Sequence, residues 1–134
     1  MKILLDTSVY SQPIKKKPLR RVIDHWKAYD EKDFAVSAIC ELEVLYGLHL
    51  AASERLWTAY RRIIKGRFPI LAFDEACAQR YAELQAAQAK GGRTRPGFDL
   101  MIAATALTHD LALATCNAAD FEGLPDLRIL DWSR

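Results

Sequence analysis

The rhythm of apolar positions changes several times along this chain. Residues 2 to 5, KILL, form a brief apolar run that stops at Asp6, which predicts a short strand buried on both faces. Leu19, Val22, Ile23 and Trp26 then recur at i, i+3, i+4 and i+7, with Pro18 tolerated in a first turn, so the spacing predicts an amphipathic helix over about residues 18–30. Phe34 to Val36 predicts a second strand. Ser37 is placed to cap a helix whose apolar stripe is Ile39, Leu42, Tyr46 and Leu50. Ser53 is placed to cap another, with Leu56, Tyr60, Ile63 and Ile64 on one face and an end near Gly66.

Phe68 to Phe73 reads as extended and leads to Asp74, the expected cap of a helix displaying Cys77, Tyr81, Leu84 and Gln88 and stopping at Gly91 and Gly92. The segment GGRTRPG reads as an exposed loop. Beyond it, Ile102, Ala103, Ala106 and Leu107 mark an alanine-rich helix, and Leu111 to Thr115 and Leu127 to Leu130 read as two further strands. Strands alternating with helices imply parallel neighbours joined by crossovers, so the expected fold is a three-layer α/β/α sandwich around a mainly parallel central sheet.

At 134 residues the chain suffices for one domain, residues 1–134, with a substantial core. A formal charge of +2 does not announce nucleic-acid binding, so any such role rests on where the charges lie. They lie in three groups: Lys15, Lys16, Lys17, Arg20 and Arg21; then Arg61, Arg62, Lys65 and Arg67; then Lys90, Arg93 and Arg95. Each group taken alone reads first as a solvated face or loop. Three well-separated cysteines without a CxxC pair argue for reduced thiols and against a disulfide frame or zinc site. The first apolar run is too short for a signal-peptide core and no segment approaches a membrane span, so a soluble, cytoplasmic protein without a membrane partner is expected.

In parallel α/β sheets, ligands bind outside the carboxyl ends of the strands, which is where Asp6 falls. Three other acids can converge there: Glu43 one turn into the helix after the second strand, Asp99 opening the alanine-rich helix, and Asp120 beyond the strand that ends at Thr115. Each also has a structural reading. Asp6 can end its strand, Glu43 can pair with an arginine, Asp99 can complement a helix dipole, and Asp120 can cap a turn. Gathered together they repel one another and call for protons or cations. His25, His49 and His109 are scattered, and oxygen donors without His or Cys favour Mg²⁺ or Mn²⁺, cations suited to phosphoryl chemistry.

The segments LLDTS, SAICELEVLYG, FDLMIAATALTHDLALATCNAADF and LPDLRILDW resemble, in order, the signature segments of PIN-domain ribonucleases, and specifically the VapC toxins of bacterial toxin–antitoxin pairs. The resemblance implies an acidic pocket that binds Mg²⁺ or Mn²⁺ and cleaves RNA, often tRNA or ribosomal RNA. Carried over residue by residue, it implies catalytic roles for Asp6, Glu43, Asp99 and Asp120. Asp6 and Asp99 would hold the principal metal, and Glu43 and Asp120 would act through water. Thr7 matches a hydroxyl that supports the first aspartate, Ser8 stands where many relatives have Asn, and Asn117 falls where relatives have Asp or Asn. Glu41, two residues from Glu43, is expected on the surface.

Arg93 and Arg95, in the loop before Asp99, are the expected RNA-phosphate contacts. The resemblance further implies a homodimer and a cognate VapB-like antitoxin, with Leu19, Val22, Trp26, Leu45 and Leu48 as its candidate groove. A haloacid-dehalogenase-like phosphatase would carry a second Asp where this chain has Ser8, and a receiver domain would carry paired acids near the first strand, where only Asp6 stands. The alternative from another class is a PIN scaffold that binds RNA or protein without cutting.

Overall fold

The computed structural model describes residues 1–134. Five parallel strands form one sheet in the order β3-β2-β1-β4-β5: β1 Ile3–Leu5, β2 Phe34–Ser37, β3 Ile70–Leu71, β4 Ala112–Thr115 and β5 Ile129–Asp131. Every residue of β1, β2 and β4 is buried, as expected for central parallel strands covered by helices on both faces. Six helices provide the cover: α1 Thr7–Tyr10, α2 Arg20–Ala28, α3 Ala38–Ala51, α4 Glu54–Ala59, α5 Glu75–Lys90 and α6 Gly97–Thr108. The expected α/β/α sandwich is therefore the fold.

Side-chain caps start the helices where the sequence places them. Ser37 Oγ accepts from the Cys40 amide at 3.0 Å, Ser53 Oγ from Leu56 at 3.2 Å, and Asp74 Oδ1 from Cys77 at 3.0 Å. After α4 the chain continues as a π-helical turn, Tyr60–Ile64, and closes at Gly66 with a positive φ of 75°. The three cysteines are unpaired thiols, and no helix is long and apolar enough to cross a membrane.

Two expected apolar faces are corrected. The buried side of α3 is Ile39, Cys40, Val44 and Leu48, while Leu42, Tyr46 and Leu50 face solvent. This helix carries apolar residues nearly all round, so periodicity cannot choose which face turns inward. In α2, Val22 and Trp26 are buried but Leu19 lies outside the helix and is exposed. Val22, Trp26 and Leu48 belong to the hydrophobic core and Leu45 packs against it, so Leu19, Val22, Trp26, Leu45 and Leu48 do not form the single exposed groove expected.

The strand order places a functional site. From β1 the chain moves outward through β2 to β3, then returns across the sheet through α5 and α6 to add β4 and β5 on the other side of β1. The crevice at the carboxyl ends of β1 and β4 is thus the topological switch point, where ligands bind in sheets of this kind.

Candidate active site

Asp6 is the residue that follows β1, and Thr115 ends its neighbour β4. The Asp6 amide donates to the Ala114 carbonyl at 2.9 Å, extending the β1–β4 pairing by one residue. Its carbonyl starts α1 by accepting from Val9 and Tyr10, but its carboxylate makes no cap bond. Instead Asp6 Oδ2 accepts from Thr115 Oγ1 at 2.7 Å and from Ser8 Oγ at 2.9 Å. Both donors serve one oxygen and leave Oδ1 without a protein partner. Asp6 is buried, so this is a shielded carboxylate held in orientation with one oxygen free.

The other acids come from three separate elements. Glu43, half-buried on α3, accepts from Thr7 Oγ1 through Oε1 at 2.7 Å. Asp99, half-buried, lies in the first turn of α6, and Asp120 is exposed on the 3₁₀ turn Ala118–Phe121 after β4. Burial pushes the Asp99 carboxyl up to about 6, and the negative charges of Asp6, Asp120 and Glu43 add to the rise while Arg95 opposes it. Asp99 is thus within electrostatic reach of the other three acids.

Residues 3–126 match the family model of the PIN domain. The chain belongs to the PIN-domain family. Among the relatives of this PIN domain, the tRNA(fMet)-specific endonuclease VapC of Shigella flexneri is 30% identical over 133 residues, covering 99% of each chain. Toxin FitB of Neisseria gonorrhoeae is 34% identical over 127 residues, covering 89% of this chain and 90% of the relative. The crystal structure of FitAcB from N. gonorrhoeae superposes with a TM-score of 0.88 at 30% identity, covering 98% of this chain and 99% of that one. DNA-bound VapBC from Salmonella typhimurium superposes at 0.87 with 29% identity, covering 98% of both.

Within this PIN domain, some expected partners differ from those observed. The hydroxyls that support Asp6 belong to Ser8 and Thr115, whereas that of Thr7 goes to Glu43. Thr115 was not singled out from sequence, although strand pairing that sets Leu5 opposite Ala114 brings the next residues, Asp6 and Thr115, together. Ser8 has a second task, since its Oγ also accepts from the Cys116 amide at 3.0 Å. Asn117 is exposed, and its amide donates to Thr115 Oγ1 at 2.9 Å.

Glu41 is not on the surface, as its spacing from Glu43 implied. It is half-buried and accepts from the hydroxyls of Tyr10, at 2.7 Å, and Tyr60. Position 41 lies three residues before Val44 and seven before Leu48, on the inward side of α3, which accounts for the difference. Arg93 is exposed, but the Arg95 guanidinium turns toward the protein, donating to Gln88 Oε1 at 3.0 Å and to the carbonyls of Asp120 and Glu122.

As the side chains stand, no three acidic, histidine or cysteine groups converge into a closed metal shell. The donors are nevertheless all hard oxygens, and Asp6 keeps one oxygen unclaimed. This set fits a divalent cation that keeps much of its water, the ordinary habit of Mg²⁺, and does not fit a fully protein-caged ion.

Proposed function

We propose that this chain is the toxin of a VapBC-type toxin–antitoxin pair and a Mg²⁺- or Mn²⁺-dependent endoribonuclease that hydrolyses RNA phosphodiester bonds, with tRNA or ribosomal RNA the substrate class. The observation that carries the reading is the Asp6 carboxylate at the switch point, fixed through Oδ2 by Thr115 and Ser8 with Oδ1 unclaimed, and within electrostatic reach of Asp99. Relatives named as a tRNA(fMet)-specific endonuclease and as a toxin support it, as do the VapBC and FitAcB structures it resembles.

A bound divalent cation would supply Lewis acidity toward the phosphodiester and lower the pKa of an attacking water. Asp6 and Asp99 would hold it, directly or through water. Thr115 and Ser8 keep the Asp6 carboxylate fixed, and Thr7 orients Glu43, so these side chains meet a substrate without first having to reorganise. Asp120, at the exposed rim, is placed to receive a water hydrogen bond. Exposed Arg93 and the basic run Lys15 to Lys17 offer phosphate contacts that an acidic pocket cannot provide.

Beside Thr7 and Glu43 lies a cavity of about 310 Å³ walled by Ile14, Val44, Leu48 and Leu56 with Lys15 at its edge. It suits an apolar segment of the antitoxin, which would then block the acidic pocket. The exposed stripe Leu42, Tyr46 and Leu50 suits self-association of two copies.

The test is cleavage of purified tRNA and ribosomal RNA with Mg²⁺ or Mn²⁺, with EDTA, and with the variant Asp99→Asn. Cutting that requires the cation and the Asp99 carboxylate supports the reading. RNA binding without cutting under every condition makes the chain a non-cleaving PIN scaffold.

A further inference from the structure

Asp120 is the least secured of the four acids. It is exposed, on a four-residue 3₁₀ turn in the connection between β4 and β5. Two features hold that turn. Phe121 is 1% exposed and anchors it to the core. Arg95 grips the backbone on either side of Phe121, donating from Nη1 to the Asp120 carbonyl and from Nη2 to the Glu122 carbonyl. Its Nε donates to Oε1 of Gln88, a buried side chain near the end of α5, at 3.0 Å. One guanidinium thus ties the end of α5, the loop entering α6, and the turn bearing Asp120.

The clamped turn is followed directly by Gly123, which lies in the left-handed region. Its φ is +81°, and a Cβ added there would lie 3.1 Å from Arg93 Nη1 and 3.9 Å from Arg95 Nη2. A side chain at 123 would be strained by its backbone and crowd the Arg93 head group.

We infer that Arg95 is a positioning residue of the acidic pocket: it clamps the turn that carries Asp120 to the loop that delivers Asp99, and does not serve as an RNA-phosphate contact. The inference rests on the nuclease reading only for the purpose of the pocket. The clamp depends on a planar fork reaching two carbonyls while a third nitrogen reaches an amide oxygen, and lysine cannot reproduce that geometry even though it keeps the charge.

The experiment compares wild type, Arg95→Lys, Arg95→Gln and Arg93→Gln as full-length proteins. In the metal-free proteins, amide hydrogen exchange is followed at Asp120 and Glu122, whose amides are bonded to Asn117 and Ala119. Both Arg95 variants should exchange there about tenfold faster or more, while Arg93→Gln matches wild type. With Mn²⁺ alone, both Arg95 variants should bind about 10-fold to 100-fold more weakly, the range for residues that orient ligands. On RNA, they should lower kcat with KM and its salt dependence unchanged.

Wild-type exchange in Arg95→Lys overturns the clamp, and so does a raised KM with a shallower salt slope, the mark of a lost phosphate contact. If Arg95 variants do not fold, Gln88→Met removes one anchor and should speed exchange at the same two amides, and unchanged exchange there overturns the inference. A wild type that cuts no RNA defeats the nuclease reading alone, because the exchange comparison needs neither RNA nor metal.

Discussion

The hydroxyl of Thr115 donates to Asp6 Oδ2 at 2.7 Å, joining two residues 109 positions apart at the ends of adjacent strands. Replacing Thr115 with Val keeps the shape and removes a donor to a buried carboxylate, which should cost about 1.5–3 kcal/mol of stability. The metal-free protein should lose several degrees in Tm by calorimetry. Thr115→Ser should recover most of the loss, and equal Tm values for Thr115→Val and wild type would show that Ser8 suffices.

Asp6→Asn keeps size and removes charge. Its far-ultraviolet circular dichroism should be unchanged, while Mn²⁺ binding by titration calorimetry and RNA cleavage should both collapse. Retained cleavage would remove Asp6 from the mechanism.

The raised Asp99 carboxyl gives the metal-free protein a pH dependence of defined sign. Its folded value of about 6 exceeds the ordinary 3.8, so protonation favours the folded state. This contribution is fully present below about pH 3.8 and is lost as pH rises through 6. Metal-free wild type should therefore gain Tm relative to Asp99→Asn as pH falls from 7 to 4, and added Mg²⁺ at pH 7 should restore part of the difference. Parallel Tm curves for the two proteins would contradict it.

Glu41 accepts from two buried phenols, Tyr10 and Tyr60, and both hydroxyls are pushed to higher pKa by burial and by the Glu41 bond. Glu41→Leu strands both and should destabilise the fold by on the order of 3 kcal/mol, more than either Tyr→Phe change. A double-mutant cycle measured by urea unfolding should show strong coupling of Glu41 to each tyrosine. Additive effects would mean that water replaces the carboxylate.

Tyr46 is 65% exposed on the outer stripe of α3. Tyr46→Lys should leave monomer stability within about 0.5 kcal/mol of wild type, as for other surface changes. In sedimentation it should shift any dimer toward monomer; an unchanged dimer would place the interface elsewhere.

Much of this was legible in the chain. The caps at Ser37, Ser53 and Asp74 and the apolar runs before Asp6 and Thr115 announce their elements, because local hydrogen bonding and a short unbroken apolar run need no distant information. The inward face of α3 was not legible, since an almost uniformly apolar helix takes its orientation from what it packs on. For the same reason Thr115 and Glu41 went unrecognised in their roles: the partners of both are set by strand pairing and helix packing across the chain. The helix α1 was missed because its four residues are too few to show a period.

The order of the strands also has a temporal consequence. β1 is made before the other four strands but lies at the centre of the sheet, and its partner β4 is made only after β2 and β3. A chain still being synthesised, with residues beyond 98 unmade, has Asp6 and Glu43 but neither Asp99 nor the Thr115 hydroxyl. The acidic pocket cannot be completed on a growing chain until residue 120 has emerged, and every truncated product that stops short of α6 is born without it.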